Sequence, residues 1–105
     1  SNYYDRRDDI MADDRQMRLL RGAERVEYRN EKRPRLLMKR MLDSTDKRLR
    51  NINKRLAVIG ERILTSTSLP QTLRLEEMQQ RLEDQKESAY KRFNKRFNEK
   101  VGETE

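Results

Sequence analysis

The sequence predicts an all-α, extended and non-globular chain, with two or three long helices behind an extended N-terminal arm and no independent core. Three observations carry that expectation. Charged residues fill 43% of the 105 positions and hydrophobic ones only 32%, so little apolar surface is available to offset an ordering cost of roughly 1.5 kcal/mol per residue. Apolar residues between positions 34 and 64 recur with a seven-residue period. Helix-start signals stand at Arg33-Pro34 and at Ser68-Leu69-Pro70. With so small an apolar surface, the ordered state is expected to depend on a partner.

Residues 1–8, SNYYDRRD, show no period and read as an extended arm. Tyr3 and Tyr4 are adjacent, so a helix would aim them apart, whereas an extended segment lays one on each side. They are either interface anchors, each burying a ring while its hydroxyl stays wet, or plain disordered decoration. Residues 9–33 form the first helix, with Asp8, Asp9, Asp13 and Asp14 placed early, where the positive end of the helix dipole favours them. Met17, Leu20, Ala23 and Val26, with Leu19, make a short apolar stripe. Gly22, about 1 kcal/mol worse than Ala inside a helix, is where this helix is open to a break.

Proline disfavours helix for the residue before it and suits the first position of a new one, so Arg33-Pro34 marks an elbow. The central helix then covers residues 34–65. With Leu42, Leu49, Leu56 and Ile63 at heptad position a, Met38, Thr45, Ile52 and Ile59 fall at d, the pattern of a coiled-coil seam. Arg48, Arg55 and Arg62 occupy position g. A guanidinium edge therefore runs beside the seam, and an acidic helical surface is the expected partner. The same stripe would also serve as the core-facing side of an amphipathic helix in a small bundle. Arg35 and Thr45 interrupt the seam, and Gly60 would let a neighbour approach closely. Leu at a with Ile at d favours more than two strands, which suits a helix joining a multi-helix array.

Residues 66–69 form a polar linker. Ser68 is placed to cap the next helix, Pro70 to take its first turn, and Gln71 to complete a capping box three residues after Ser68. The third helix covers residues 70–100. It opens with Leu75, Met78 and Leu82, then shifts to Lys86, Tyr90, Phe93 and Phe97, a change of period that argues against one continuous supercoil. Tyr90, Phe93 and Phe97 lie among Lys91, Arg92, Lys95 and Arg96. They read as a docking face with basic stems laid along an apolar strip, or as a stacking and phosphate surface for RNA. Residues 101–105 are expected to fray.

Net charge is +7, and residues 34–70 hold nine basic against three acidic side chains, a local excess of six. The chain contains no Cys, His or Trp, which removes thiolate and imidazole chemistry and the metal sites built on them. No Gly-rich loop offers a phosphate cradle, and the carboxylates read as solvated helix-face charges. Neither enzymatic activity nor a cofactor or metal is expected. No apolar run reaches the roughly 18–20 residues of a membrane span, and no signal peptide is visible. Absence of Cys fits a reducing, cytoplasmic compartment. The first residue is Ser rather than Met, as expected of a processed form or a segment of a longer product.

Three functional classes follow. The first is a structural protein that laces helices across an acidic filament of coiled-coil rods, with Leu49, Ile52, Leu56, Ile59 and Ile63 in a groove between rods and Arg48, Arg55 and Arg62 on rod carboxylates. The second is a subunit of a ribonucleoprotein, since a pI near 10.0 suits phosphate backbones. Nineteen interspersed acidic residues argue against it. The third is a free-standing helical-bundle adaptor.

Several phrases of the sequence carry a resemblance: Tyr3-Tyr4-Asp5-Arg6-Arg7, Ala12-Asp13-Asp14-Arg15, Leu20-Arg21-Gly22-Ala23-Glu24, Val26-Glu27-Tyr28-Arg29 and Leu42-Asp43-Ser44-Thr45-Asp46. In these the first two thirds of the chain resembles myofilin, of the thick filaments of insect muscle; residues 70–105 do not share the likeness. The resemblance implies residence in the myofibril among myosin heavy-chain rods, beside paramyosin, and a non-enzymatic part in filament assembly or stiffness. It implies no catalytic residues.

Overall fold

A computed structural model describes residues 2–102. It contains five helices: α1 (Asn2–Leu19), α2 (Gly22–Glu31), the four-residue α3 (Arg33–Leu36), α4 (Lys39–Thr65) and α5 (Leu69–Val101). Among the described residues there is no strand, and the chain is all-α as its periodicity predicts. It divides into two compact units, one made by residues 2–44 with 92–102 and one by residues 45–91.

In the first unit α1 buries Tyr3, Ile10 and Asp13, positions seven and three apart that share one helix face. Tyr3, Phe93 and Phe97 are fully buried. The Tyr3 ring meets Phe93 edge-on, with centroids 5.0 Å apart and planes at 80°, and Phe93 lies 6.3 Å from Phe97. At such distances the ring quadrupoles attract. The Arg6 guanidinium lies 4.6 Å from the centre of the Phe97 ring. It donates to the Asn94 carbonyl at 3.2 Å and to Asn98 Oδ1 at 2.6 Å, so its charge is held by a ring face and two acceptors together.

The arm expected over residues 1–8 is therefore corrected. From Asn2 onward it is the start of α1, and Ser1 lies outside the described residues. Tyr3 has an aromatic partner within its own unit, so the helix can bury that ring and leave Tyr4 46% exposed. Adjacent tyrosines need an extended strand only if both must be buried.

The expected break near Gly22 is present. Gly22 has φ +58°, a left-handed conformation that costs other residues roughly 1–2 kcal/mol. Helix ends leave orphan carbonyls, and Arg25 satisfies those of α1, donating to the carbonyls of Met17 at 3.2 Å, Leu20 at 2.9 Å and Arg18 at 3.1 Å. One side chain thus both caps α1 and ties α2 to its end.

Pro34 lies in the first turn of α3, as its fixed φ suits. The central helix, however, does not run unbroken from residue 34. The Met38 N–H bonds to the Arg35 carbonyl, three residues back, at 3.0 Å, and the regular ladder resumes with α4 at Lys39. Arg35 reaches α1, where its Nε lies 2.9 Å from Asp13 Oδ2 and its Nη1 3.8 Å from Asp9. Asp13 Oδ2 has no well-aligned donor, so the short contact is an ion pair rather than a directed hydrogen bond. The Tyr28 hydroxyl donates to Asp13 Oδ1 at 3.3 Å.

The second unit is a helical hairpin made by parts of α4 and α5. Ile52 and Ile59 pack with Leu75 and Leu82, and the half-buried Leu56 and Ile63 lie against that cluster. Both helices thus contribute at seven-residue intervals, the spacing that keeps an apolar stripe facing an antiparallel neighbour. Thr45, Leu49 and Ala89 are buried as well. The expected absence of a core is corrected here: α5 carries the matching stripe, so α4 finds its partner in the same chain. A short loop makes antiparallel packing natural. In that loop Ser68 Oγ accepts from the Gln71 N–H at 3.2 Å, the cap expected of it. The Gln71 side chain instead takes a contact from Ser66 Oγ at 3.4 Å.

The stripe on α5 also differs from its expected line. Ala89 continues the seven-residue step from Leu82 and is buried, whereas Met78, Lys86 and Tyr90 are not. At the other end Val101 closes α5 and Gly102 donates its N–H to the Asn98 carbonyl at 2.9 Å. The fraying expected for 101–105 does not extend to these two, and residues 103–105 lie outside the described residues.

Candidate functional site

Of the residues singled out in the sequence, Leu42, Leu49, Ile52 and Ile59 are buried and Leu56 and Ile63 half-buried. In the second unit this seam is occupied by α5, so Ile52 and Ile59 are not open to insertion between the helices of a partner. Tyr3, Phe93 and Phe97 form the closed aromatic cluster of the first unit, which offers no ring face for stacking on bases. Tyr90 is half-buried, and only Tyr4 among the aromatic candidates stands open.

The arginine edge has the opposite fate. Arg48, Arg55 and Arg62 are all exposed, and none has an ion-pair or hydrogen-bond partner among the described residues. Position g lies beside the seam, so burying a and d against α5 leaves these guanidinium groups at the border of the hairpin, facing water.

Arg55 and Arg62 line a groove that the sequence did not single out. Lys54, Arg55, Val58, Ile59 and Arg62 from α4 and Met78 from α5 enclose about 260 Å³. Arg55 and Met78 also line an adjoining hollow of about 160 Å³ with Arg81, Leu82 and Gln85. The α4 positions follow the spacing of one helix face, as do Met78, Arg81, Leu82 and Gln85 on α5. Val58 is 48% and Met78 37% exposed, while Ile59 and Leu82 belong to the buried cluster beneath. The floor is thus apolar and the rim carries Lys54, Arg55, Arg62 and Arg81. No carboxylate lines either hollow.

Such a surface fits a ligand whose apolar groups sit between negative charges. Apolar contact removes area from water at about 25 cal/mol per Å², and the cations give orientation and association rate more than raw affinity. Val58 was missed because it lies off the line that α4 buries, and Met78 because its spacing from Leu75 and Leu82 put it on the expected buried stripe of α5, whereas it is exposed. The available signal was an apolar residue off the seam next to Arg55 and Arg62.

In the first unit, Asp13 and Arg35 meet as a structural ion pair that ties α3 to α1. Partial burial first, then the neighbouring Asp13 carboxylate, push the Tyr28 hydroxyl above its ordinary value. Among the described residues no cluster of three His, Cys, Asp or Glu side chains is placed to hold a metal ion, and no helix is long and apolar enough to cross a membrane.

Fold and surface together define an all-α chain with a basic-rimmed apolar groove on a helical hairpin. No protein-family model matches it, and neither a curated protein nor a solved structure is significantly similar.

Proposed function

We propose that this chain is a non-enzymatic structural protein that docks acidic helical surfaces on the groove between α4 and α5. The observation that carries the reading is the row of unpaired cations, Lys54, Arg55, Arg62 and Arg81, around the partly exposed Val58 and Met78. A coiled-coil rod offers the complementary chemistry, with carboxylates flanking apolar residues along a straight helix. The resemblance of residues 1–69 to myofilin makes myosin heavy-chain rods, with paramyosin beside them, the first partners to test. On this reading the chain sits in the thick filament of the myofibril and contributes to filament assembly or stiffness.

The mechanism differs from insertion of the α4 seam between rods. A seam already packed on α5 acts as the scaffold, and the groove presents the contact. Binding through exposed charges weakens as salt screens them.

The test is cosedimentation with myosin-rod filaments across a salt series, with RNA in parallel. Wild-type chain should pellet with rods at low salt, and the Arg55→Glu/Arg62→Glu variant should stay in the supernatant with unchanged helix content. Arg48 lies outside the groove, so Arg48→Glu should lose much less. Undiminished pelleting of the double variant, or binding to RNA alone, would overturn the proposal.

A further inference from the structure

The first unit holds a separate hollow of about 370 Å³, lined by Met17, Arg29, Arg33, Leu36 and Leu37. Its construction parallels that of the hairpin groove. Met17 comes from α1, Arg29 from α2, Arg33 and Leu36 from α3, and Leu37 from the turn that follows. Leu37 is 55% exposed. Arg29 and Arg33 are exposed, have no ion-pair or hydrogen-bond partner among the described residues, and are four residues apart. No carboxylate lines the hollow.

The walls are held in place by contacts already described. Arg25 fixes α2 to the end of α1 through the Met17, Arg18 and Leu20 carbonyls, and Arg35 fixes α3 to α1 through Asp13. Arg25 and Arg35 are thus consumed in building the hollow, whereas Arg29 and Arg33 remain free to meet a ligand. A stretch of polypeptide with apolar side chains flanked by carboxylates matches that division. Two arginines can pair its carboxylates while Met17, Leu36 and Leu37 receive its apolar groups. Lone anions would leave the apolar lining uncovered.

We infer that this hollow is a second docking site for an acidic amphipathic helix, so that one chain binds two such helices. The inference rests on the reading of the hairpin groove for the class of partner, but on different residues. Two sites on one chain make it a cross-link: once the first helix is bound, the second site meets its partner at a raised effective concentration wherever the geometry permits both.

The experiment is calorimetric titration of the full chain with a synthetic single-helix peptide whose leucine stripe is flanked by glutamates. Wild type should bind two peptides. The Arg29→Glu/Arg33→Glu variant should bind one, as should Arg55→Glu/Arg62→Glu, and all four changes together should abolish binding. Each altered site should weaken by about tenfold or more, the scale expected when close charge pairs are lost. All four side chains are exposed, and circular dichroism of each variant separates lost binding from lost fold. One peptide per wild-type chain, lost only with Arg55→Glu/Arg62→Glu, would overturn the second site and leave the hairpin groove standing. No binding by the wild type would overturn both.

Discussion

Gly60 sits in α4, where a Cβ would meet nothing within 4 Å beyond its own stretch of helix among the described residues. The close neighbour expected there is absent, so this glycine carries only its entropic cost, roughly 0.5–1 kcal/mol relative to Ala. Gly60→Ala should raise the urea midpoint accordingly. Gly22, equally free of neighbours, has φ +58°, and Gly22→Ala should lower the midpoint by a similar or larger amount, since a Cβ is strained there whatever the space. The sequence marks both glycines but cannot say which backbone is left-handed. Tyr28 supplies a pH-dependent case. Its hydroxyl titrates above the ordinary value because of partial burial and Asp13. The neutral phenol is thus favoured in the folded state, and its contribution is fully present below pH 10.0 and lost as pH rises through the higher folded value. Denaturation of wild type and Tyr28→Phe across that range should show the wild type losing more stability on the alkaline side. Asp13 and Arg35 were not legible as partners, because nothing in local spacing joins residues twenty-two positions apart.

At the scale of elements, helix starts were the most legible features. Ser68 caps α5 through the Gln71 N–H, and Ser68→Ala should cost about 1 kcal/mol, read as a lower thermal midpoint with unchanged native helix content. Pro34 likewise opens a helical turn, but the turn ends at Leu36, since a proline signals where helix can begin and not how far it runs. The N-terminal segment was misread for a physical reason: whether Tyr3 needs an extended backbone depends on Phe93, ninety residues away in sequence. The buried line of α5 passes through Ala89 rather than Tyr90 because spacing, not side-chain size, selects the inward face. A small apolar residue carries little weight in a reading that looks for large ones.

For the whole molecule, the seam of α4 was legible and its partner was not. An a/d stripe flanked by arginine has the same sequence signature whether the covering helix belongs to another protein or to the same chain, as Leu75 and Leu82 do here. The exposure of Arg48, Arg55 and Arg62 was legible where the packing was not, since guanidinium groups at g stay at the border of either arrangement. Arg55 and Arg62 accordingly line the groove on which the proposal rests, while Ile52 and Ile59 belong to the cluster packed with α5. The central claim is that an acidic helix occupies the groove between α4 and α5. Five methionines in the chain give a direct probe, for Met78 lines that groove and Met38 is buried away from solvent at 2% exposure. The decisive measurement is methionine-methyl NMR of the full chain during titration with the glutamate-flanked helical peptide. A saturating shift of the Met78 resonance, with Met38 unmoved and Met78 silent in Arg55→Glu/Arg62→Glu, is the expected result. Saturable binding that leaves Met78 where it was in the free chain would contradict the claim.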